Sequence, residues 1–493
     1  MPAYIRTVKS KSGATSVQIE YKRGRERTGI LHIGTAHNDR EVRLLRALAY
    51  AKMHEGQLSF DLDGAERSET DARLRSSYSA LLWGALEHAY RVLGFDRAVD
   101  DLVFKQLVLA RIIEPSSKFD TIRILDGLGL DAPTNTAIHR SLKRTVKKDF
   151  RSSVSRACFN RSAPSELMLV LYDVTTLYFE IQKDNEYRRP GLSKERRLEP
   201  QITVGLLVDR SGFPLEIQSF EGNKAEVHTI LPVLSGFRER HGLKAITVTA
   251  DAAMLSAGNV EELERLGFHY IIGSKLSKTP YEIEARLSGD EVFEDGEIFE
   301  SKKTVTIGGN RVKRREIFQY RAKRAALDLS NIDKTVAKAQ KMVENKGGIK
   351  RNRFLKITGD VREVNLPLVE EARKRAGIKG YLTDLNIPAP QVIDAYHQLF
   401  QVEKSFRMSK SDLKARPIFH HIRDSIEAHL TIVFTALAVA RHIESRTGIS
   451  IKKFVQAVEP VRTGIVSVGE DTFELQPEIP PEVTLLLRKL SSG

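Results

Sequence analysis

The chain has 493 residues, 41% of them hydrophobic and 29% charged, an ordinary globular composition long enough for roughly two to four domains. Its net charge of +14 points to a polyanionic partner, and its single cysteine, Cys158, excludes internal disulfides and CxxC-type zinc or redox sites, which predicts a reducing, cytoplasmic setting. No membrane partner is expected: the N-terminus carries no apolar leader, and the longest uncharged apolar run, residues 430–440, falls short of the roughly 20 residues that span a bilayer.

Residues 1–65 alternate polar and apolar side chains in TSVQIEY and GILHIGTA and read as a small β-rich segment. From 66 to 162 the period turns helical, in SYSALLWGALEHAYRVLGF and DLVFKQLVLARII. Two short helices around GLGLDAPT, with His139, Arg140, Lys143 and Arg144 on the second, read equally as a helix-turn-helix or a plain helical hairpin.

Residues 163–278 carry strands at 167–179, 201–209 and 213–220, then helix, strand (244–251), helix and strand. This order predicts an α/β fold with a mixed sheet: an antiparallel meander followed by parallel crossovers. Asp173 lies inside the first strand and Asp251 ends the fourth. With the first strand central and the fourth parallel beside it, the two aspartates face each other near one end of the sheet. Alone, each reads as a strand-end turn residue; as a pair in this order they call for a partner such as a cation, because Asp is a poor strand former and a buried charge is costly.

Between 301 and 356 there are 17 Lys and Arg against 4 Asp and Glu, within a partly β segment, 279–380, expected to project from the sheet as an insertion rather than continue it. Lys313, Arg314 and Arg315 are its foremost candidates for DNA contact. Residues 381–446 return to the core, and 447–493 form a C-terminal extension. In YHQLFQVEKSFRMSK (396–410), read as one helix, Tyr396, Glu403, Arg407 and Lys410 share a stripe about 60° wide. Taken alone this is a solvated face with an i, i+4 Glu–Arg pair.

If Glu403 joins Asp173 and Asp251, three carboxylates suit two hard divalent cations, Mg²⁺ or Mn²⁺, and in-line displacement at a phosphodiester, with Tyr396, Arg407 and Lys410 holding phosphates. No GxGxxG, GxxxxGK[ST], GxSxG or HExxH motif offers other chemistry. Glu427 and Asp394 are rival third acids, Glu226 reads as a helix cap or a site acid, and His420 and His421 read as structural or DNA-proximal because hard cations favour oxygen.

LYDVTTLYFE, FEGNKAEVHTI, VTADAAMLSAGNV, GYLTDLN and the stretch from Tyr396 to Leu430 together resemble DDE-type insertion-sequence transposases of the group with a Y-x2-R-x3-E-x6-K signature. The resemblance runs from about 165 to 445. It implies a ribonuclease-H-like core interrupted by an insertion, with Asp173, Asp251 and Glu403 as the acid triad and metal ligands, and Tyr396 and Lys410 as the signature's Tyr and Lys. The signature's Arg falls on Leu399, and Arg407 is the proposed substitute. The resemblance further implies binding to terminal inverted repeats through the N-terminal 160 residues, synapsis as a homodimer, and strand cleavage and transfer into target DNA. A non-catalytic DNA-binding regulator derived from a transposase, and a nuclease or resolvase on the same core, are the alternatives.

Overall fold

The computed structural model describes residues 3–9, 14–23, 26–53, 72–162, 168–180, 185–191, 199–252, 257–274, 281–288, 292–307, 310–344, 352–358, 361–468 and 471–492. The boundaries expected at 65, 163 and 279 fall at or within segments outside the described residues. The chain divides into two compact units, one of Met1–Arg91, Leu109–Ile138 and Ile443–Gly493, the other of Val92–Val108 and His139–His442.

In the first unit the expected β-rich start is an antiparallel meander of Ala3–Lys9, Thr15–Arg23 and Glu26–Ala36. The helix Asp39–Met53 sets Ala49 against Val17 and Ile19 of that sheet. One local reading is corrected. Ala72–Tyr78, expected at the start of the helical region, is a strand, and it pairs with Thr463–Val468, which in turn pairs with Asp471–Leu475. The helices Ala80–Val92, all but its last residue, and Asp120–Gly127 follow in this unit, Leu102–Ile113 and Asn135–Lys147 have residues in both units, and Phe150–Arg161 belongs to the second.

The second unit is built on an eight-stranded sheet. Its strands, in chain order, are β1 (Met168–Tyr178), β2 (Gln201–Val208), β3 (Pro214–Glu221), β4 (Ile246–Ala250), β5 (His269–Ser274), β6 (Ile298–Ile307), β7 (Asn310–Tyr320) and β8 (Ile378–Thr383). Their spatial order is β6-β7-β8-β5-β4-β1-β2-β3. The five strands β3-β2-β1-β4-β5 form the ribonuclease-H-like core: β1, β2 and β3 pair antiparallel, and β4 and β5 add in parallel beside β1. β2 is buried along its whole length, which is what a central strand of continuous Ile, Thr, Val and Leu dictates.

The segment expected to project from the sheet instead extends it. β8 pairs antiparallel with β5, β7 with β8, and β6 with β7. Without β8, β5 would be an open edge with unpaired backbone groups. Ile283, Leu287, Phe318 and Ile378 seal this addition from one side. Beyond it, the helix Ala322–Glu344, the small hairpin Leu355–Thr358/Val361–Val364 and the helix Leu366–Lys374 gather around Ile332, Ala339, Phe354 and Val369.

The helices Phe400–Ser411 and Arg423–Thr447 cover one face of the core sheet. Phe406, Val433 and Phe434 lie over Thr175, Leu177 and Val204. Arg423–Thr447 is long and apolar enough to cross a membrane, but 94% of its most apolar stretch is buried inside the protein, as in a core helix.

Candidate active site

Asp173 sits in β1 opposite Leu206 of β2. On its other side β1 and β4 run in parallel, with Leu171 opposite Thr249. The same register two residues further on sets Asp173 beside Asp251, which follows the last residue of β4. Alternation along β1 places Asp173 on the same face as Thr175 and Leu177, the face that the helix carrying Glu403 covers. Asp173 is half-buried; Asp251 and Glu403 are exposed.

Asp251 is held from two sides. Its Oδ1 accepts the backbone N–H of Ala252 at 2.7 Å and the phenolic hydroxyl of Tyr396 at 3.0 Å. Tyr396 itself is buried, its ring edge-on to Tyr381 at 5.1 Å, within a cluster that includes Ile271, Ile317, Val392 and Ile393. Gly273 makes the approach possible, since a Cβ there would stand 2.8 Å from the Tyr396 hydroxyl. Burial first, then the charge and hydrogen bond of Asp251, raise the Tyr396 pKa, so the phenol stays a proton donor to the carboxylate. Burial likewise pushes Tyr381 up to about 12.

The stretch 396–410 is not one helix. Ala389–His397 and Phe400–Ser411 are separate, joined through Gln398 and Leu399 by short-range bonds from Leu399 N–H to the Tyr396 carbonyl (3.0 Å) and from Gln401 N–H to the Gln398 carbonyl (2.8 Å). The single stripe is thereby broken, because Tyr396 is drawn into the apolar cluster while Glu403 stays exposed. An open cleft of about 290 Å³ results, lined by Asp173, Asp251 and Glu403 together, with Lys379, Tyr396, His397 and Leu399 on its wall.

A family model described as the transposase DDE domain matches residues 153–439. The chain belongs to the DDE-domain transposases. No curated protein matches it. Among solved structures, a piggyBac transposase synaptic complex with hairpin DNA is similar over 85% of this chain and 76% of that one, at 11% identity and a TM-score of 0.37, too distant to carry residue roles.

Among the described residues of the transposase, no group of three His, Cys, Asp or Glu side chains is drawn together tightly enough to close on an ion. The three acids of the cleft nevertheless fit a hard divalent cation by donor chemistry, offering carboxylate oxygen only, and the two donors to Asp251 among the described residues both meet Oδ1. The rival acids lie outside the cleft lining. Glu427 accepts from Tyr187 (2.6 Å) and Ser219 (2.8 Å) and pairs with Arg151 (2.7 Å). Asp394 is exposed on Ala389–His397 and does not border the cleft. Glu226 opens a 3₁₀ turn ahead of the helix Ile230–His241, and its carbonyl accepts the Thr229 hydroxyl. His420 lies 5.6 Å from the buried ring of His429, and His421 is exposed.

Of the cations singled out for DNA, Arg407 is exposed one turn beyond Glu403, and Lys410 lines a small cavity with Thr175 and Phe406; neither borders the cleft. Lys313 is exposed. Arg314 and Arg315 are spent inside the fold. Arg314 grips the buried Glu264 through two bonds of 2.9 and 2.8 Å, and the buried Arg315 holds Glu300 and the carbonyls of Leu385 and Ile387. Arg144, on the helix that reads equally as part of a helix-turn-helix or of a plain hairpin, pairs with the buried Asp101 at 2.7 Å. The cation that does border the cleft, Lys379, was not singled out by the sequence; its only signal is a lysine opening the apolar run GYLT.

Proposed function

We propose that this transposase cuts and rejoins DNA at the cleft shared by Asp173, Asp251 and Glu403. The observation that supports this reading best is the parallel register that sets Asp173 beside Asp251 at the mouth of a cleft Glu403 also lines. The three carboxylates would hold two Mg²⁺ or Mn²⁺ ions, which supply activation of the attacking oxygen and stabilisation of the leaving one. Tyr396 fixes the orientation of the Asp251 carboxylate by donating to Oδ1, and its raised pKa keeps that donor in place. Arg407 and Lys313, both exposed, would contact phosphates along the DNA. The helices of the N-terminal region bind the terminal inverted repeats, and two copies of the chain bring the two ends together. Both chemical steps are displacements at phosphorus: water cuts the strand, then the freed 3′-hydroxyl attacks target DNA.

The test incubates duplexes carrying the element's ends with the protein, Mg²⁺ and a supercoiled target plasmid. Cut ends joined to plasmid are expected. Cutting without joining would make the protein a nuclease or resolvase, and tight binding with no metal-dependent cutting would make it a regulator.

A further inference from the structure

Beside the cleft lies a second, larger groove of about 860 Å³, lined by Arg324, Arg353, Phe354, Arg375 and Lys379. Lys379 lines both. It stands in β8, its Nζ 4.8 Å over the ring of Tyr396, the same residue whose hydroxyl holds Asp251. The groove's cations fall into two kinds. Arg324 faces Asp328 at 3.4 Å, and Arg375 faces Glu284 and Glu371. Arg353 and Lys379 instead lie over aromatic rings, Arg353 at 5.4 Å from the centre of Phe354. A cation on a ring face keeps its N–H donors for an anion. Burial, and then the neighbouring Arg324, lower the Lys379 pKa, a balance that an arriving phosphate would restore.

We propose that Lys379 grips a DNA phosphate at the cleft and passes that strand into the groove, where Arg353 holds the next phosphates. This inference rests on the cleft being the cutting site. The occupant is a single DNA strand: the groove's four cations, Arg324, Arg353, Arg375 and Lys379, outnumber its two acids, Asp328 and Glu371, and Lys379 lines both groove and cleft. Lys379 thus supplies at the cleft wall the cation that Leu399, which lines the same cleft, does not.

The experiment measures binding by fluorescence anisotropy, in EDTA and in an Asp251→Asn background, so that no cutting occurs. The probe is a duplex end carrying a single-stranded overhang, compared with a blunt duplex, between 50 and 200 mM salt. Lys379→Gln and Arg353→Gln are each expected to weaken overhang binding and to lower the slope of log affinity against log salt by about 0.7, the value for one phosphate of a single strand. Lys379→Arg should retain the slope. Arg353 is exposed, so its replacement leaves the core intact. Unchanged slopes for both variants, equal losses on the blunt duplex, or a Lys379→Arg as weak as Lys379→Gln would overturn the proposal. Because binding is read without metal, a wild-type protein that fails to cut DNA would refute the cleavage reading while leaving this result separately decided.

Discussion

Replacing Tyr396 by Phe removes one oxygen while the ring keeps its edge contact with Tyr381 and its place under Lys379. What is lost is the 3.0 Å hydrogen bond to Asp251. Bonds to charged groups contribute about 1.5–3 kcal/mol. Asp251 is exposed at the cleft and keeps the Ala252 N–H, so the lower end applies. In rate, about 1.5 kcal/mol corresponds to roughly a tenfold loss. Single-turnover cleavage at saturating DNA should therefore slow about tenfold in Tyr396→Phe, with DNA affinity unchanged. Asp251→Asn should slow it by about 10³-fold or more, equivalent to ~4 kcal/mol. The double variant should be no slower than Asp251→Asn alone, because Tyr396 acts through that carboxylate. If Tyr396→Phe instead weakens DNA binding and leaves the saturated rate untouched, the hydroxyl is a phosphate contact and the positioning role assigned to it is wrong.

Two further outcomes concern the scaffold. Burial alone would raise the Glu427 pKa, but Arg151, Tyr187 and Ser219 outweigh it and hold the group below the usual carboxylate value. Its stabilising contribution is therefore full above the unfolded value of about 4.3 and is lost as pH falls through the lower folded one. Glu427→Gln should destabilise by roughly 2–3 kcal/mol near neutral pH, below the range for a fully buried broken pair because both side chains keep some exposure. In thermal unfolding the gap to wild type should narrow below about pH 4; a gap independent of pH would contradict the assignment. At Gly205, in β2, a Cβ would run into the Tyr172 hydroxyl, which bonds Thr229 at 2.9 Å. Gly205→Ala should cost about 1–3 kcal/mol by overpacking, seen as a lowered Tm, and an unchanged Tm would show that the sheet accommodates the methyl.

The core was legible because its strands announce themselves locally. Runs such as LMLVLYDVTTLYF and QITVGLLVD, bounded by turn residues, match β1 and β2 to within a residue or two, and their order alone places Asp173 beside Asp251. What stayed hidden depends on distant partners. ARLRSSY alternates apolar and charged residues only over its first four positions, too short a signal beside the helical run that follows, and Ala72–Tyr78 takes its place as a strand against Thr463–Val468. Ile378–Thr383 reads as a short apolar piece until β5 offers it an open edge, which is why the insertion extends the sheet. The break at Gln398–Leu399 follows from the pull of Tyr396 into its aromatic and aliphatic cluster, a packing preference that no helical period records. Lys379 and the pairs of Arg314 and Arg315 are of the same kind: charge composition marks the segment as basic, but only the fold decides which cations face carboxylates and which face the cleft.

The most direct test of the shared acid cleft is Mg²⁺-dependent cutting of end-bearing DNA by Asp173→Asn, Asp251→Asn and Glu403→Gln, each at matched DNA occupancy. All three should bind DNA as the wild type does and lose cutting by about 10³-fold or more, ~4 kcal/mol or more. Wild-type cutting by any one of them would contradict it.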